Sequence, residues 1–358
     1  MIAYLILVHQ YPNQFKRLFR AVYGTKNYYL IHVDKKAGTA LYEEISNFLV
    51  DFPNAHILKS QNVVWGGYSM VDVELRGMQK LLMISKKWDF FINLSGQDFP
   101  LKSQTIIQNF LKENARKDFI QIVDQAKMRP ITLNRINNYF CESENGFSGT
   151  PYKRTFLPKV TPYIGGQWKI LSRNCCEFIC SSPKVAKFRK FYKNTLIPDE
   201  SFFQTVLMNT GYTGRIINDD KRAIIWIPDI NSKLLTKSFV TNSTSSLVAS
   251  GKIKLRPKTL TIEDLPFLLA NNAFFARKFD ENVDLAILDL LESRLQVSKP
   301  KIKLGINQMP LFSHLRIPRR PSMGVDEAGE KRSLLPNIGK PHPSTGGEAS
   351  LDTFSLPA

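Results

Sequence analysis

Residues 2–34 read IAYLILVHQYPNQFKRLFRAVYGTKNYYLIHVD. Ile2–Val8 is a continuous apolar run, the pattern of a strand covered on both faces. Pro12 then opens a helix with Phe15, Leu18, Phe19 and Val22 on one side, and Gly24 stops it. Tyr28–Val33 is a second apolar strand, ending at Asp34. Two buried strands joined by one helix form a βαβ unit, which calls for a parallel sheet.

The alternation continues outward. A helix around Leu41–Phe48 leads to a short strand at Ala55–Leu58. Val71, Leu75, Met78 and Leu82 mark a longer amphipathic helix, and Asp89–Leu94 (DFFINL) the next strand. Ile106, Ile107, Phe110 and Leu111 mark a further helix, and Phe119–Val123 a further strand. This spacing predicts an α/β fold: a mostly parallel twisted sheet with helices on both faces. Ligands of such sheets bind at the carboxyl ends of the strands. That rule selects His9, Asp34 and the segment Ser95–Pro100.

From Gln125 to about Tyr163 basic and aromatic residues mix with Gly and Pro, as in a long, partly irregular insertion. Regular structure is expected again at Gly165–Ser172, at a strand over Ala223–Ile227 and at a helix over Val283–Leu295. Thr261 and Asp264 form a near capping box. From Lys299 the chain is rich in Pro, Gly and Ser without periodicity, which predicts a disordered tail.

Within Leu196–Thr210 (LIPDESFFQTVLMNT), Pro198 suits a helix's first turn. Phe203, Val206, Leu207 and Thr210 follow at helical spacing. Asp199 and Glu200 then face the positive end of the dipole, which favours their ionised forms. Such acids either complement the dipole only or supply a general base.

The 358 residues carry a formal charge of +18, with 43% hydrophobic and 22% charged residues. That composition is globular, and the charge implies an anionic partner or surface. The tail contributes +4 and the first 298 residues +14. A nucleic-acid binder would normally show a recognisable module or basic residues interleaved with stacking aromatics, and neither a helix-turn-helix nor an RNP-type signature is found. The four cysteines (Cys141, Cys175, Cys176, Cys180) lack a second ligand pair for zinc and read as free thiols in a reducing compartment. No run is long enough for a transmembrane helix, and IAYLILV lacks the flanks of a signal peptide. A cytoplasmic protein is expected.

Six strings stand in order: HVDKK (32–36), VWGGYSMV (64–71), WDFFINLSGQDFPL (88–101), GGQWKILSR (165–173), PDESFFQTVL (198–207) and FFARKFD (274–280). Together they resemble the Core-2/I-branching glycosyltransferases, over roughly residues 2–295. FINLSGQDFP, ESFFQTVL and FFARKF are closer to the peptide O-xylosyltransferase branch than to the N-acetylglucosaminyltransferase branch.

The resemblance implies a GT-A-like domain over 1–298, with a nucleotide-sugar half (about 1–124) and an acceptor and catalytic half (about 125–298). It implies inverting transfer of xylose or N-acetylglucosamine from a UDP-sugar to a hydroxyl acceptor, with no further cofactor. Glu200 falls on the family's base. His9, Asp34, Trp65, Asp98, Arg256, Arg277 and Lys278 fall on the donor side, and Gln167, Trp168 and Trp226 on the acceptor side. For each a structural role is the alternative: a turn cap for Asp34, an Asx-turn for Asp98, core packing for the tryptophans, a solvated basic pair for Arg277 and Lys278. Gln167 departs from the pattern, since xylosyltransferases carry an acid there.

Many transferases of this fold hold a metal on an Asp-x-Asp motif, and none follows a strand here. Asp72 and Glu74 fall inside a helix, and Lys36 stands where a second acid would be needed. The resemblance implies metal-independent transfer, with Arg277 and Lys278 taking the diphosphate charge. The rival reading is a non-catalytic basic protein held on nucleic acid or an anionic membrane. An enzyme in peripheral contact with an anionic leaflet also fits the charge.

Overall fold

Successive side chains of a strand point to opposite faces of its sheet, so an unbroken apolar strand must be covered twice. In strand β1 (Ile2–Val8), Ile2, Tyr4, Ile6 and Val8 enter one apolar cluster, whereas Ala3 and Leu5 enter a second. The computed structural model describes residues 1–144, 146–229 and 255–297. The expected tail from Lys299 lies outside them.

After β1 come α1 (Pro12–Val22), β2 (Tyr28–Val33), α2 (Gly38–Leu49), β3 (Ala55–Leu58), α3 (Tyr68–Ile84) and β4 (Phe90–Ser95). Then follow β5 (Phe99–Pro100), α4 (Gln104–Glu113), β6 (Lys117–Ile120), β7 (Val123–Asp124) and a single turn, α5 (Gln125–Met128). The expected insertion holds a hairpin, β8 (Asn138–Ser143) and β9 (Gly146–Lys153), before β10 (Tyr163–Ile164) and β11 (Lys169–Ser172). Helices α6 (Arg173–Ser181), α7 (Ala186–Tyr192) and α8 (Phe202–Asn209) lead to β12 (Arg215–Ile217), β13 (Arg222–Ile224) and β14 (Trp226–Pro228). The rest is β15 (Leu255–Pro257), α9 (Leu265–Ala270), β16 (Phe275–Arg277) and α10 (Ala286–Val297).

The main sheet has seven strands in the order β12-β6-β11-β4-β1-β2-β3. Only β11 runs against its neighbours. Helices α1, α2, α4 and α10 cover one face through Phe15, Phe19, Ile45, Ile107 and Leu288. Helices α3, α6, α7 and α8 cover the other through Val71, Met78, Cys176, Phe188 and Phe203. The predicted mostly parallel α/β sheet with helices on both faces is what forms.

Two predicted strands are each split. Phe119–Val123 divides into β6 and β7, and Ala223–Ile227 into β13 and β14; in both cases the two pieces pair in different sheets. β6 joins the seven-stranded sheet and β13 a three-stranded one, whereas β7 and β14 each make a separate two-stranded pair. The Thr261–Asp264 capping box forms with both hydrogen bonds. Cys175 and Cys176 are buried free thiols, Cys180 is half-buried and Cys141 exposed. Among the described residues no helix is long and apolar enough to cross a membrane.

Candidate active site

Strands β1, β2 and β4 are parallel, so their carboxyl ends share one edge of the sheet. His9, Asp34 and Gln97 follow those ends. β11 runs the other way, so its amino end, with Gln167 and Trp168, reaches the same edge. A cleft of about 820 Å³ opens there. It is lined by His9, Asp34, Trp65, Gln167, Trp168 and Trp226 from the expected set, and also by Glu200, Arg256, Arg277 and Lys278. Ten of the eleven expected residues thus meet in one cleft.

Asp98 does not line it. Its side chain is fully buried and accepts from the Ser95 N–H at 2.9 Å, three residues back along the chain, whereas an Asx-turn would accept from a residue ahead. It also faces the Arg222 guanidinium at 3.3 Å and that of Arg277 at 3.5 Å. Its carboxyl thus lies behind the cleft lining, against two arginines. Burial pushes its carboxyl upward, and the two guanidinium charges oppose that shift.

Trp168 lines the cleft, yet only 3% of it is exposed, and the guanidinium groups of Arg222 and Arg277 lie over its ring at 4.6 and 4.5 Å. The ring attracts both arginines by cation–π interaction. Trp65, by contrast, is 50% exposed and offers a free ring face, and Trp226 is half-buried.

Leu196–Thr210 is not one helix. Pro198–Glu200 forms a separate 3-10 turn, and Ser201, at φ −136°, breaks the chain before α8 begins at Phe202. Ile197 enters that turn at φ 49°, a costly conformation for a β-branched residue. It is held by its N–H donating to the Gly66 carbonyl at 2.7 Å. Asp199 and Glu200 are therefore buried in the cleft wall instead of presented at a helix mouth, and the dipole argument for them does not apply.

Glu200 is 7% exposed. Its Oε2 accepts from Arg135 Nη1 at 2.8 Å, and Oε1 has no partner among the described residues. Its carbonyl accepts from the Gly165 N–H at 2.8 Å. A Cβ at Gly165 would lie 1.8 Å from the Gln121 carbonyl oxygen, so only glycine allows this close approach.

The lining holds a cationic pair, Arg277 and Lys278, and an acid pair, Asp199 and Glu200, among other charged groups. Burial, then the Arg277 and Arg256 charges, holds the Lys278 ammonium below its usual range. Burial also lowers Arg277. Desolvation lowers His9, which feels Asp34 against Arg277, Lys278 and Lys36. Asp34 Oδ1 caps its own turn through the Lys36 N–H at 2.9 Å. Arg256 is paired to Asp229 at 3.5 Å. His32 is pushed down to about 4 by burial, so it is neutral, and its Nε2 accepts from the Gln61 N–H. Asp220, pushed up to about 6 by burial, completes the lining beside Arg222. Asp199 is raised by burial and by the charges of Glu200 and Glu74. No cluster of three metal-ligating side chains occurs among the described residues.

Sequence patterns passed over Arg135, Arg222 and Asp220. Arg222 carried one legible signal, a basic residue opening the apolar run RAIIW. Arg135 carried none, because its partner is 65 positions away.

Fold and site define a mixed α/β protein with a charged ligand cleft at the carboxyl edge of its sheet. The chain belongs to the Core-2/I-branching enzyme family, whose model matches residues 2–250. It is 32% identical to xylosyltransferase 2 of Mus musculus over 308 residues, covering 84% of this chain and 34% of that protein. It is 29% identical to xylosyltransferase 1 of Rattus norvegicus over 307 residues, covering 84% of this chain and 36% of that one. The chain thus spans about a third of the length of the curated relatives it matches. Mouse xyloside xylosyltransferase 1 in its apo form overlays with a TM-score of 0.30 at 13% identity, over 61% of this chain and 84% of that one. That overlay is too loose to define the fold.

Proposed function

We propose that the cleft transfers a sugar, with xylose the favoured donor, from a UDP-sugar to a hydroxyl acceptor on a glycan. The observation that carries this reading is the pairing of a cationic wall (Arg277, Lys278) with an acid turn (Asp199, Glu200) on one cleft. Xylose is favoured because the curated relatives are named xylosyltransferases; N-acetylglucosamine is the second donor implied by the resemblance. The transfer is a single inverting displacement. The acceptor oxygen bonds to the anomeric carbon as the bond to the β-phosphate oxygen breaks. Glu200 Oε1 takes the acceptor's proton, and the leaving charge collects on the diphosphate. Arg277 and Lys278 meet that charge, as fixed cations aimed at developing charge do in general. Trp65 supplies a stacking face for uracil, and Asp34 and His9 flank the nucleotide. The surplus positive charge supports work beside an anionic membrane face in a cytoplasm.

Turnover of UDP-xylose is expected to persist in excess EDTA. Loss on chelation with recovery on Mn²⁺ or Mg²⁺ would hand the diphosphate to a metal and sink the cationic model. Lys278→Ala probes the same wall by another route. A charge-assisted hydrogen bond contributes about 1.5–3 kcal/mol, so UDP affinity is expected to fall roughly 10–100-fold in isothermal titration. An unchanged UDP affinity would leave residues 274–280 with a structural role only.

A further inference from the structure

Asp199 is the polar group in the cleft that the chemistry above leaves unused. It is 5% exposed and lines the cleft, yet its Oδ1 is buried without a hydrogen-bond partner among the described residues. A buried carboxyl oxygen left unpaired is costly. The charges around Asp199 make it costlier. Glu200 is its chain neighbour, the Glu74 charge of α3 also acts on it, and the charges of Lys169 of β11 and Arg277 of β16 oppose them. Folding alone gives no reason to keep an acid here, whereas a ligand that completes its hydrogen bonds does.

Position says which ligand. In an inverting transfer the sugar ring lies between the leaving diphosphate and the base that deprotonates the acceptor. Asp199 is electrostatically coupled to Arg277 on the diphosphate side and adjoins Glu200 on the base side. A group facing both is beside the ring itself. We propose that Asp199 is a sugar-binding residue whose carboxyl hydrogen-bonds a hydroxyl of the transferred pyranose. This rests on the nucleotide-sugar reading of the cleft. Burial and the two neighbouring carboxylates favour its protonated form, in which Oδ1–H donates.

Isothermal titration of UDP, UDP-xylose and UDP-N-acetylglucosamine against wild type, Asp199→Ala and Asp199→Asn tests this. For Asp199→Ala, UDP affinity is expected to stay at the wild-type value, and affinity for the UDP-sugar that wild type prefers to fall by about tenfold. Asp199→Asn, which can still donate, is expected to keep most of the sugar increment. Both variants remove a buried acid with an unpartnered oxygen, so both are expected to melt at or above the wild-type temperature, the reverse of a structural prop. Should the alanine variant fail to fold, Asp199→Ser supplies the same comparison with a side chain too short to reach the ring. Equal losses for UDP and UDP-sugar would make Asp199 a support for Arg277 and overturn the proposal. No loss for either would mean the oxygen meets solvent, and overturns it too. Wild type that binds no UDP overturns the nucleotide-sugar reading itself, which is a different failure.

Discussion

Glu200→Gln is expected to cut turnover by roughly 10²–10⁴-fold, the usual contribution of a positioned general base, with UDP affinity near wild type. The substitution keeps size and shape and removes only the ability to take a proton. Its amide oxygen can still accept from Arg135, which now donates to Oε2 at 2.8 Å. The acid turn therefore keeps its anchor. UDP titration reads whether the cationic wall is intact, so a lost base is separated from a collapsed cleft. In the proposed mechanism Arg135 holds one oxygen and Oε1 is the one that meets the acceptor. Wild-type turnover in this variant would place the base elsewhere and remove Glu200 from the mechanism.

The parts of this molecule that were legible in its sequence are those set by local pattern. β1 is apolar without interruption, and β2 and β4 nearly so, because both faces of the sheet are covered, and a run of that kind has few other readings. Pro12 and Gly24 punctuate a helix that ends within two residues of where they put it. The cleft was legible through topology, since parallel strands bring His9, Asp34 and Gln97 to one edge whatever their sequence separation. Roles inside the cleft were less legible, because they depend on who faces whom. Asp98 sits in a sugar-like loop and yet points inward, because two arginines from β13 and β16 converge behind it. Trp168 matches an acceptor position and yet carries those arginines on its ring. Leu196–Thr210 has helical spacing throughout, but Ile197 is tethered to Gly66, and the chain must turn again at Ser201 before α8 can start. In each case a long-range contact overrode a local signal.

The charge on Asp199 is also felt by a fully buried ion pair. Glu74 and Lys169 have fully buried side chains and form an ion pair. Glu74 Oε1 also accepts from Asn93 Nδ2 at 3.1 Å. Lys169 Nζ also donates to the Gln167 carbonyl at 2.6 Å and lies 4.1 Å from the Phe203 ring. Burial raises the Glu74 carboxyl, and Lys169 and the hydrogen bonds oppose that shift. Lys169→Met keeps the volume and strands Glu74 as an unpaired buried acid. The expected cost is about 3–5 kcal/mol in urea denaturation at neutral pH. The cost has a sign in pH. Without its counter-charge Glu74 is raised further, so the folded chain holds a proton that the unfolded chain has released. Stability is then retained below the ordinary carboxylate range and lost as pH rises above it. The penalty is therefore expected to be smaller at pH 5 than at pH 8. Adding Glu74→Leu removes the stranded acid and is expected to recover most of the loss, since apolar replacement of a buried pair is often neutral or better. A pH-independent penalty, or a double variant no better than the single one, would mean the loss is one of packing around Phe203 and not of charge. The same measurement bears on the cleft, because Asp199 feels both members of the pair. Removing Lys169 alone takes a cation away from Glu74 and Asp199 together, so UDP-sugar affinity in the single variant is expected to weaken at pH 8 and to recover as Asp199 takes up its proton.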